Sequence, residues 1–439
     1  MKKQFDKSEK NWHKMALLLA ASFFIPKIAF AAELNQANTA WILTSTALVL
    51  FMTIPGLSLF YAGLVRSKNV LSVLMQCFAI TCVVSILWLA GGYSLIFADG
   101  GAWQDWIGGL QKAFLPSVNT TQLVGDIPET VYFMFQMTFA IISPALIVGG
   151  FAERMKFSSM LWFSSLWLIF VYLPVCHWIW GGGWLAKMGV MDFAGGIVIH
   201  VNAGVAALVA AIVLGKRKGF PHVAMPPHNL TMVVTGAGML WVGWFGFNGG
   251  SALTSDGHAG MAILVTHISA ATGALTWMII EWYRFGKPSM LGIVTGMVAG
   301  LGTITPASGF VGPLGGFVIG LVAGVVCFYS TQLVKRKFKI DDSLDVFPVH
   351  GVGGVVGSLL TAVFAASELG GLGFTQNLSM SMQMQVQALA IVVTAAWSGV
   401  LSYGILKGID YFIGLRVSGD EEVQGLDIVL HEETGYHSL

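Results

Sequence analysis

Two histidines carry the clearest chemical signal in this chain. One stands in Gly-Gly-Ile-Val-Ile-His200-Val-Asn-Ala-Gly204, the other in Asp345-Val-Phe-Pro-Val-His350-Gly-Val-Gly-Gly354. Each falls early in an apolar stretch, each has a glycine four residues on, and they are 150 residues apart. An ionisable side chain inside a membrane-length apolar segment is costly and marks a pathway or a site. Neutral imidazole both donates and accepts a hydrogen bond. A pair of them can relay a proton or hold a small polar molecule. A lone histidine on an apolar face is more often structural, so the repetition is what argues for function. His177, His258 and His267 have no such counterpart and read as structural.

Aromatic clusters come next: Phe135-Gln-Met-Thr-Phe139, Trp178-Ile-Trp180 and Trp244-Phe-Gly-Phe247-Asn-Gly-Gly-Ser251. Phe135 and Phe139 are four apart and share a helix face. A desolvated cation over an aromatic face gains about 2 kcal/mol, and Ser251 adds a hydroxyl acceptor. An interfacial aromatic belt is the competing reading, and spacing does not separate the two. Asp192, in Met-Asp-Phe-Ala-Gly-Gly, reads as an N-cap for the His200 segment in preference to a direct substrate contact. Asp345 is expected to cap the His350 segment in the same way.

These residues need a scaffold, and composition says which kind. Of 439 residues, 55% are hydrophobic, 54 are glycine and only 10% are charged. Soluble domains carry about 25% charged residues, so a soluble enzyme and a disordered chain are excluded as whole-chain readings. A net charge of +1 gives no global field for nucleic acid. A spanning helix needs about 20 apolar residues. Eleven such segments lie near 40–62, 70–97, 129–151, 158–179, 194–214, 230–250, 259–283, 290–308, 311–334, 346–366 and 384–413.

The loops alternate in charge. Arg66 and Lys68, Arg154 and Lys156, Lys216 to Lys218, Arg284 and Lys287, and the run from Lys335 to Lys339 follow the odd-numbered segments. The other loops carry chiefly Lys112 and Lys187. By the positive-inside rule the basic loops are cytoplasmic. Residues 1–31 read as a signal peptide cut near Ala31 or Ala32, which puts the mature N-terminus outside. An odd number of spans puts the C-terminus inside. The offset between the histidines is five spans, so the second half is inverted relative to the first. The fold expected is an all-α membrane protein of eleven transmembrane helices. Repeat one covers about 40–214 and repeat two about 230–366. An extra helix occupies about 384–413 of the 32–413 membrane domain, and a cytoplasmic tail covers 414–439. Inverted repeats are a transporter architecture, with the site at the repeat interface.

Other classes find no support. There is no nucleotide-binding loop, no potassium-filter run, and no zincin motif or nucleophile elbow. No metal or cofactor set is legible, and no enzyme activity is expected. Cys77, Cys82, Cys176 and Cys327 lie in apolar stretches and read as small packing residues.

Several long motifs then occur in one order: FMTIPGLSLFYAGLVRSKNVL at 51–71, WGGGWLAKMGVMDFAGGIVIHVNAG at 180–204 and PHNLTMVVTGAGMLWVGWFGFNGGSA at 227–252. DVFPVHGVGGVVG at 345–357 and GLRVSGDEEVQGLD at 414–427 complete the set. With these the chain closely resembles the ammonium transporters of the Amt/Mep/Rh superfamily, in their bacterial Amt form. The likeness runs from about residue 38 to the end.

The resemblance implies a homotrimer in the bacterial inner membrane with one pore per subunit. It implies that Phe135, Trp180 and Ser251 recruit ammonium and that Phe139 and Phe247 gate the pore. His200 and His350 become the paired lumen histidines. Asp192 becomes a structural residue near the outer site. The tail resembles segments that dock PII-type signalling proteins, although Glu432 stands where glycine is common. The alternatives are an ammonium sensor acting through a cytoplasmic partner and a neutral gas channel.

Overall fold

The computed structural model describes residues 33–116 and 118–436. The expected signal peptide, 1–31, lies outside the described residues. Ten helices among the described residues are long and apolar enough to cross a membrane. In chain order the first seven are α1 (Gln36–Leu64), α2 (Ser67–Phe97), α3 (Glu129–Phe151), α4 (Phe157–Lys187), α5 (Gly196–Leu214), α6 (Leu230–Gly249) and α7 (Gly257–Phe285). After a shorter eighth helix come α9 (Pro313–Lys337), α10 (Phe347–Phe364) and α11 (Met380–Ile413). The expected segment 290–308 is instead the 15-residue helix α8 (Met290–Ile304), followed by turns. Pro306 has no amide to continue the helical ladder, and 15 residues rise only about 22 Å.

The helices are apolar almost throughout because their surroundings are lipid or protein on every side. Helix α3 is the most enclosed: every side chain except Thr130 and Met134 is buried. It carries Phe135 and Phe139 through the middle of the bundle. Its neighbours α5 and α10 each begin in a wide turn, Gly196–Val201 and Phe347–Gly351, and continue as 13-residue α-helices. Such wide turns rotate side chains out of the ordinary helical register and occur often at functional sites. His200 and His350 both sit in one.

Glycine lets α5 and α10 touch. A Cβ on Gly204 would collide with the Gly351 backbone. A Cβ on Gly354 would sit 2.7 Å from the Gly196 carbonyl oxygen and 3.0 Å from the Val201 amide nitrogen. Residue numbers rise on one helix as they fall on the other, so the segments cross antiparallel. Small residues permit such backbone contact between membrane helices.

The caps of these helices correct one expectation. Asp192 caps α5 as anticipated. The matching role on α10 belongs to Asp342, whose Oδ2 accepts the Phe347 amide at 2.7 Å. Asp345 instead takes a 2.6 Å bond from Lys335. Asp342 lies 150 residues after Asp192, the same offset as the histidines.

The basic loops and the tail meet at one end of the bundle. Arg217 grips Asp341 through two bonds, at 3.0 and 2.8 Å, and reaches Glu153 at 2.8 Å. Arg66 donates its amide and Nε to Glu153 at 2.7 and 3.1 Å. Arg154 is fully buried and bonds the Gly150 and Asp341 carbonyls. Three of the arginines counted as topological signals therefore hold loops together. Burial would raise the Glu153 carboxyl, but Arg217 and Arg66 outweigh it and hold it below the usual range. Arg217 does the same for Asp341.

Two short tail helices, α12 (Gly419–Gln424) and α13 (Leu426–His431), fold back onto this end. Asp427 accepts the Leu71 and Ser72 amides of α2 at 3.1 and 2.7 Å, while Asn69 accepts the Leu426 amide at 2.8 Å. Glu432 ends α13 at φ +54°, a left-handed conformation that glycine adopts more easily than glutamate.

Candidate functional site

Three cavities follow one another through the bundle: the first is walled by α3, α4 and the connections before α5 and after α6, the second by α1, α3, α5, α6, α8 and α10, and the third by α1, α8, α9 and α10. The first, about 290 Å³, opens at the end opposite the tail. Phe139, Trp180 and Ser251 line it, together with Tyr132, Gln136, Phe193 and Leu253. Phe139 meets Trp180 edge-on with centroids 5.9 Å apart. Ser251 donates to the Phe247 carbonyl at 2.8 Å, which leaves its oxygen lone pairs free to accept. Phe135 is fully buried and does not line this cavity. It packs against Phe139 at 4.9 Å and holds that ring from behind.

Tyr132 and Gln136 were not singled out from sequence. Their signal was present: they lie seven and three residues before Phe139 and so share its helix face. The Gln136 side-chain oxygen is buried and has no partner among the described residues. Phe193 and Leu253 belong to connections beside Asp192 and Ser251, and no periodicity points to them.

Phe139 and Phe247 then close the way. Their centroids are 4.4 Å apart with planes inclined by 33°. Beyond them lies a void of only about 10 Å³, lined by Phe247, His200, His350, Trp244 and Ile142 among others. A space of that size is at the lower bound for one water molecule. The third cavity, about 130 Å³, lies on the tail side and is lined by His350, Tyr61, Lys335 and Asp345 among others. His350 thus borders both spaces, whereas His200 borders only the narrow one.

The two imidazoles are in contact. Their Nδ1 atoms are 3.2 Å apart, and the rings meet edge to edge with centroids 5.2 Å apart and planes within 11° of parallel. The Trp244 indole lies beside His200 with centroids 5.7 Å apart and planes within 13° of parallel, and its Nε1 is fixed by a 2.9 Å bond to Thr305. One Nδ1 must donate and the other accept. The shared proton therefore sets opposite roles for the two outward Nε2 atoms, one an acceptor and one a donor. His200 Nε2 is buried and has no partner among the described residues. It is free to bond a small molecule in the void.

Asp192 works through its neighbours. Its carboxylate accepts the amides of Gly195, Gly196, Ile197 and Val198 at 2.6 to 3.0 Å. Its own carbonyl accepts the Trp180 indole at 2.8 Å. One residue thus ties Trp180 to the turn that carries His200. Burial pushes its carboxyl up from the usual range, and the four amides pull against that. Among the described residues no group of three or more His, Cys, Asp and Glu is placed to hold a metal ion.

His177, set aside as structural, sits against the Ile96 and Gln104 carbonyls at 2.7 Å each and pins the 99–112 connection to α4. Trp178 bonds the same connection at 2.9 Å through the Trp106 carbonyl.

Known proteins place this arrangement. The model of the Ammonium Transporter Family matches residues 40–436. The ammonium transporter of Bacillus subtilis is 46% identical over 411 residues, covering 92% of this chain and 99% of that one. The Archaeoglobus fulgidus ammonium transporter Amt1 is 45% identical over 408 residues, covering 92% and 100%. Among solved structures, Candida albicans Mep2 superposes with a TM-score of 0.81 at 36% identity, covering 89% of this chain and 88% of that one. A structure named Sensor Amt Protein gives 0.83 at 29%, covering 90% and 98%. The chain is a member of the ammonium transporter family, a family of multi-pass membrane transporters and not of enzymes.

Proposed function

We propose that this protein moves ammonium-derived nitrogen across the membrane by recruiting the cation, removing its proton and passing ammonia along the histidine pair. The observation that carries this is the sequence of cavities: a roomy aromatic one, a ring pair in contact, and a narrow apolar void bordered by two bonded imidazoles. Ammonium donates directional hydrogen bonds and can lose a proton; potassium can do neither. Trp180 and Phe139 offer π faces, and Ser251 an acceptor. Phe135 supports Phe139. A charge in an apolar void costs at least about 2.5–3.5 kcal/mol, so neutral ammonia is the species that fits between Phe247 and His200. Rotation of Phe139 or Phe247 opens the way. The void is too small to carry water in bulk.

The molecule fits eleven crossings, with α8 completing the eleventh through the turns after Ile304. In this reading the tail side is cytoplasmic, the N-terminus is outside and the membrane is the bacterial inner membrane. Family membership favours a homotrimer with one pore in each subunit. The docked tail offers a surface for a PII-type partner. Likeness to the Sensor Amt Protein supports a second reading, an ammonium sensor that conducts little.

Ammonium-pulse currents in liposomes, with potassium pulses as control and a pH dye inside, test these readings. A saturable ammonium current with no potassium response supports the proposal. His200→Leu with His350→Leu should abolish it. Wild-type flux and selectivity in that double variant refute the histidine role. Absent current with rapid alkalinisation inside indicates neutral gas passage. Silence in both signals from folded protein favours the sensor.

A further inference from the structure

Helix α11 lines none of the three cavities, yet it carries a polar line on its buried side. Gln383, Gln387 and Ser398 are fully buried there, at spacings of four and eleven residues that keep to one helix face. A buried side-chain amide is costly unless its polar groups are matched, so the partners of these residues show what the line holds.

Gln387 is matched in full. Its Nε2 donates to the Met191 carbonyl at 2.7 Å and to the Ser358 carbonyl at 3.1 Å. Its Oε1 accepts the Met191 amide at 2.8 Å and Gln383 Nε2 at 3.3 Å. Two hydrogens and two lone pairs are all that the group has. Gln383 Nε2 also holds the Gly189 carbonyl at 3.0 Å, and Ser398 Oγ holds the Asn202 carbonyl at 2.7 Å. These contacts sit at the edges of the site. Met191 adjoins Asp192, whose carbonyl holds Trp180 and whose carboxylate caps the turn carrying His200. Asn202 is two residues beyond His200, and Ser358 is eight beyond His350 on α10. One side chain on α11 therefore bonds both the segment that precedes α5 and the helix that carries His350.

We propose that Gln387 is a positioning residue for ammonium recruitment: it fixes the Met191–Asp192 segment against α10 and so sets where Trp180 stands in the first cavity. Its consequence, though not its geometry, rests on the transport reading above. Without the amide, the Met191 N–H and carbonyl lose their partners. The segment shifts, and the Trp180 indole moves with the Asp192 carbonyl. Cation–π attraction requires the ion over the ring face within about 6 Å of its centroid, so a displaced indole holds a cation less well. Passage beyond Phe139 and Phe247 does not involve that indole and changes little.

The test is Gln387→Met in the purified full chain, a swap that keeps length and volume and removes the hydrogen bonds. Hydrogen exchange over residues 189–198 is read first and needs no transport. Faster exchange there, with α9 unchanged, is expected; an unchanged rate overturns the proposal. In liposomes the ammonium concentration for half-maximal response should rise about fivefold, the worth of one hydrogen bond, while the maximal response per folded chain changes little. A lower maximal response at unchanged half-saturation is a structural effect alone and overturns the proposal. Trp180→Phe keeps a ring but loses the N–H that Asp192 accepts, so it should also raise half-saturation. Adding Gln387→Met to it should raise it little further; additive losses place the action of Gln387 elsewhere and overturn the proposal. Thr394→Val, on the same buried face with no partner for its hydroxyl among the described residues, should behave as wild type. If Gln387→Met does not fold, Gln387→Asn, which draws the amide back by one methylene, is read by the same measurements. A wild-type chain with no saturable response refutes the transport reading, and the exchange result still decides the positioning.

Discussion

Replacing Gly354 with alanine tests whether helix approach sets the histidine geometry. The new Cβ would lie 2.7 Å from the Gly196 carbonyl oxygen and 3.0 Å from the His200 Cβ. Ordinary van der Waals contact begins at 3.4 Å, so α5 and α10 must separate by about 0.4–0.7 Å, from 3.4 less 3.0 and 3.4 less 2.7. The two Nδ1 atoms now lie 3.2 Å apart. Adding that displacement gives about 3.6–3.9 Å, beyond hydrogen-bond range. Overpacking of this kind costs about 1–3 kcal/mol. The expected result is folded protein with a lower melting temperature in detergent and an ammonium response in liposomes reduced at least tenfold. Gly238→Ala is the control: nothing lies within 4 Å of its Cβ. That change should be neutral or stabilising by roughly 0.5–1 kcal/mol, as for glycine in any helix interior. Wild-type currents and an unchanged melting temperature in Gly354→Ala would refute the argument.

Three further outcomes follow from the same geometry. Asp192→Ala removes the acceptor of four amides and should cost at least about 2 kcal/mol in unfolding experiments; Asp342→Ala, with its bond to Phe347, should cost less. An equal loss in both would contradict the capping account. Glu432→Gly relieves left-handed strain of roughly 1–2 kcal/mol against roughly 0.5–1 kcal/mol of added backbone freedom. The tail should dock more firmly, seen as slower hydrogen exchange at Leu426, and faster exchange would refute the strain. Glu153 and Asp341 have carboxyls held below their ordinary values. Their contribution is complete above the unfolded values near about 4 and is lost as pH falls through the lower folded values. The share of melting temperature that this cluster supplies, read as wild type minus Glu153→Gln, should hold steady above pH ~5 and fall below pH ~4. Glu153→Gln should be less stable at neutral pH and less acid-sensitive, and an unaltered pH profile would argue against the cluster.

The amino-acid sequence by itself determined the membrane-spanning class, because apolar length is a local property that each helix meets alone. It also determined the kinship of the His200 and His350 segments, since a 150-residue offset and a glycine four residues on survive in the linear order. The Asp192 cap was legible for the same reason: a helix start is written in its own few residues. The partner cap was not. Asp342 and Asp345 both precede α10, and only the fold shows which carboxylate faces the free amide and which faces Lys335. The basic loops were legible as a charge pattern, yet burial of Arg154 and Arg217 depends on loops that meet only in space. Phe135 shares a helix face with Phe139, but its ring is screened from the cavity by packing from other helices. The shortness of α8 came from a proline inside an apolar run. Contact between the imidazoles was decided last of all. Chain counting stacked them on one axis, and the antiparallel crossing of α5 and α10, with glycine at the close approach, brought them to 3.2 Å. Distances between residues far apart in sequence are set by packing, which no local pattern encodes.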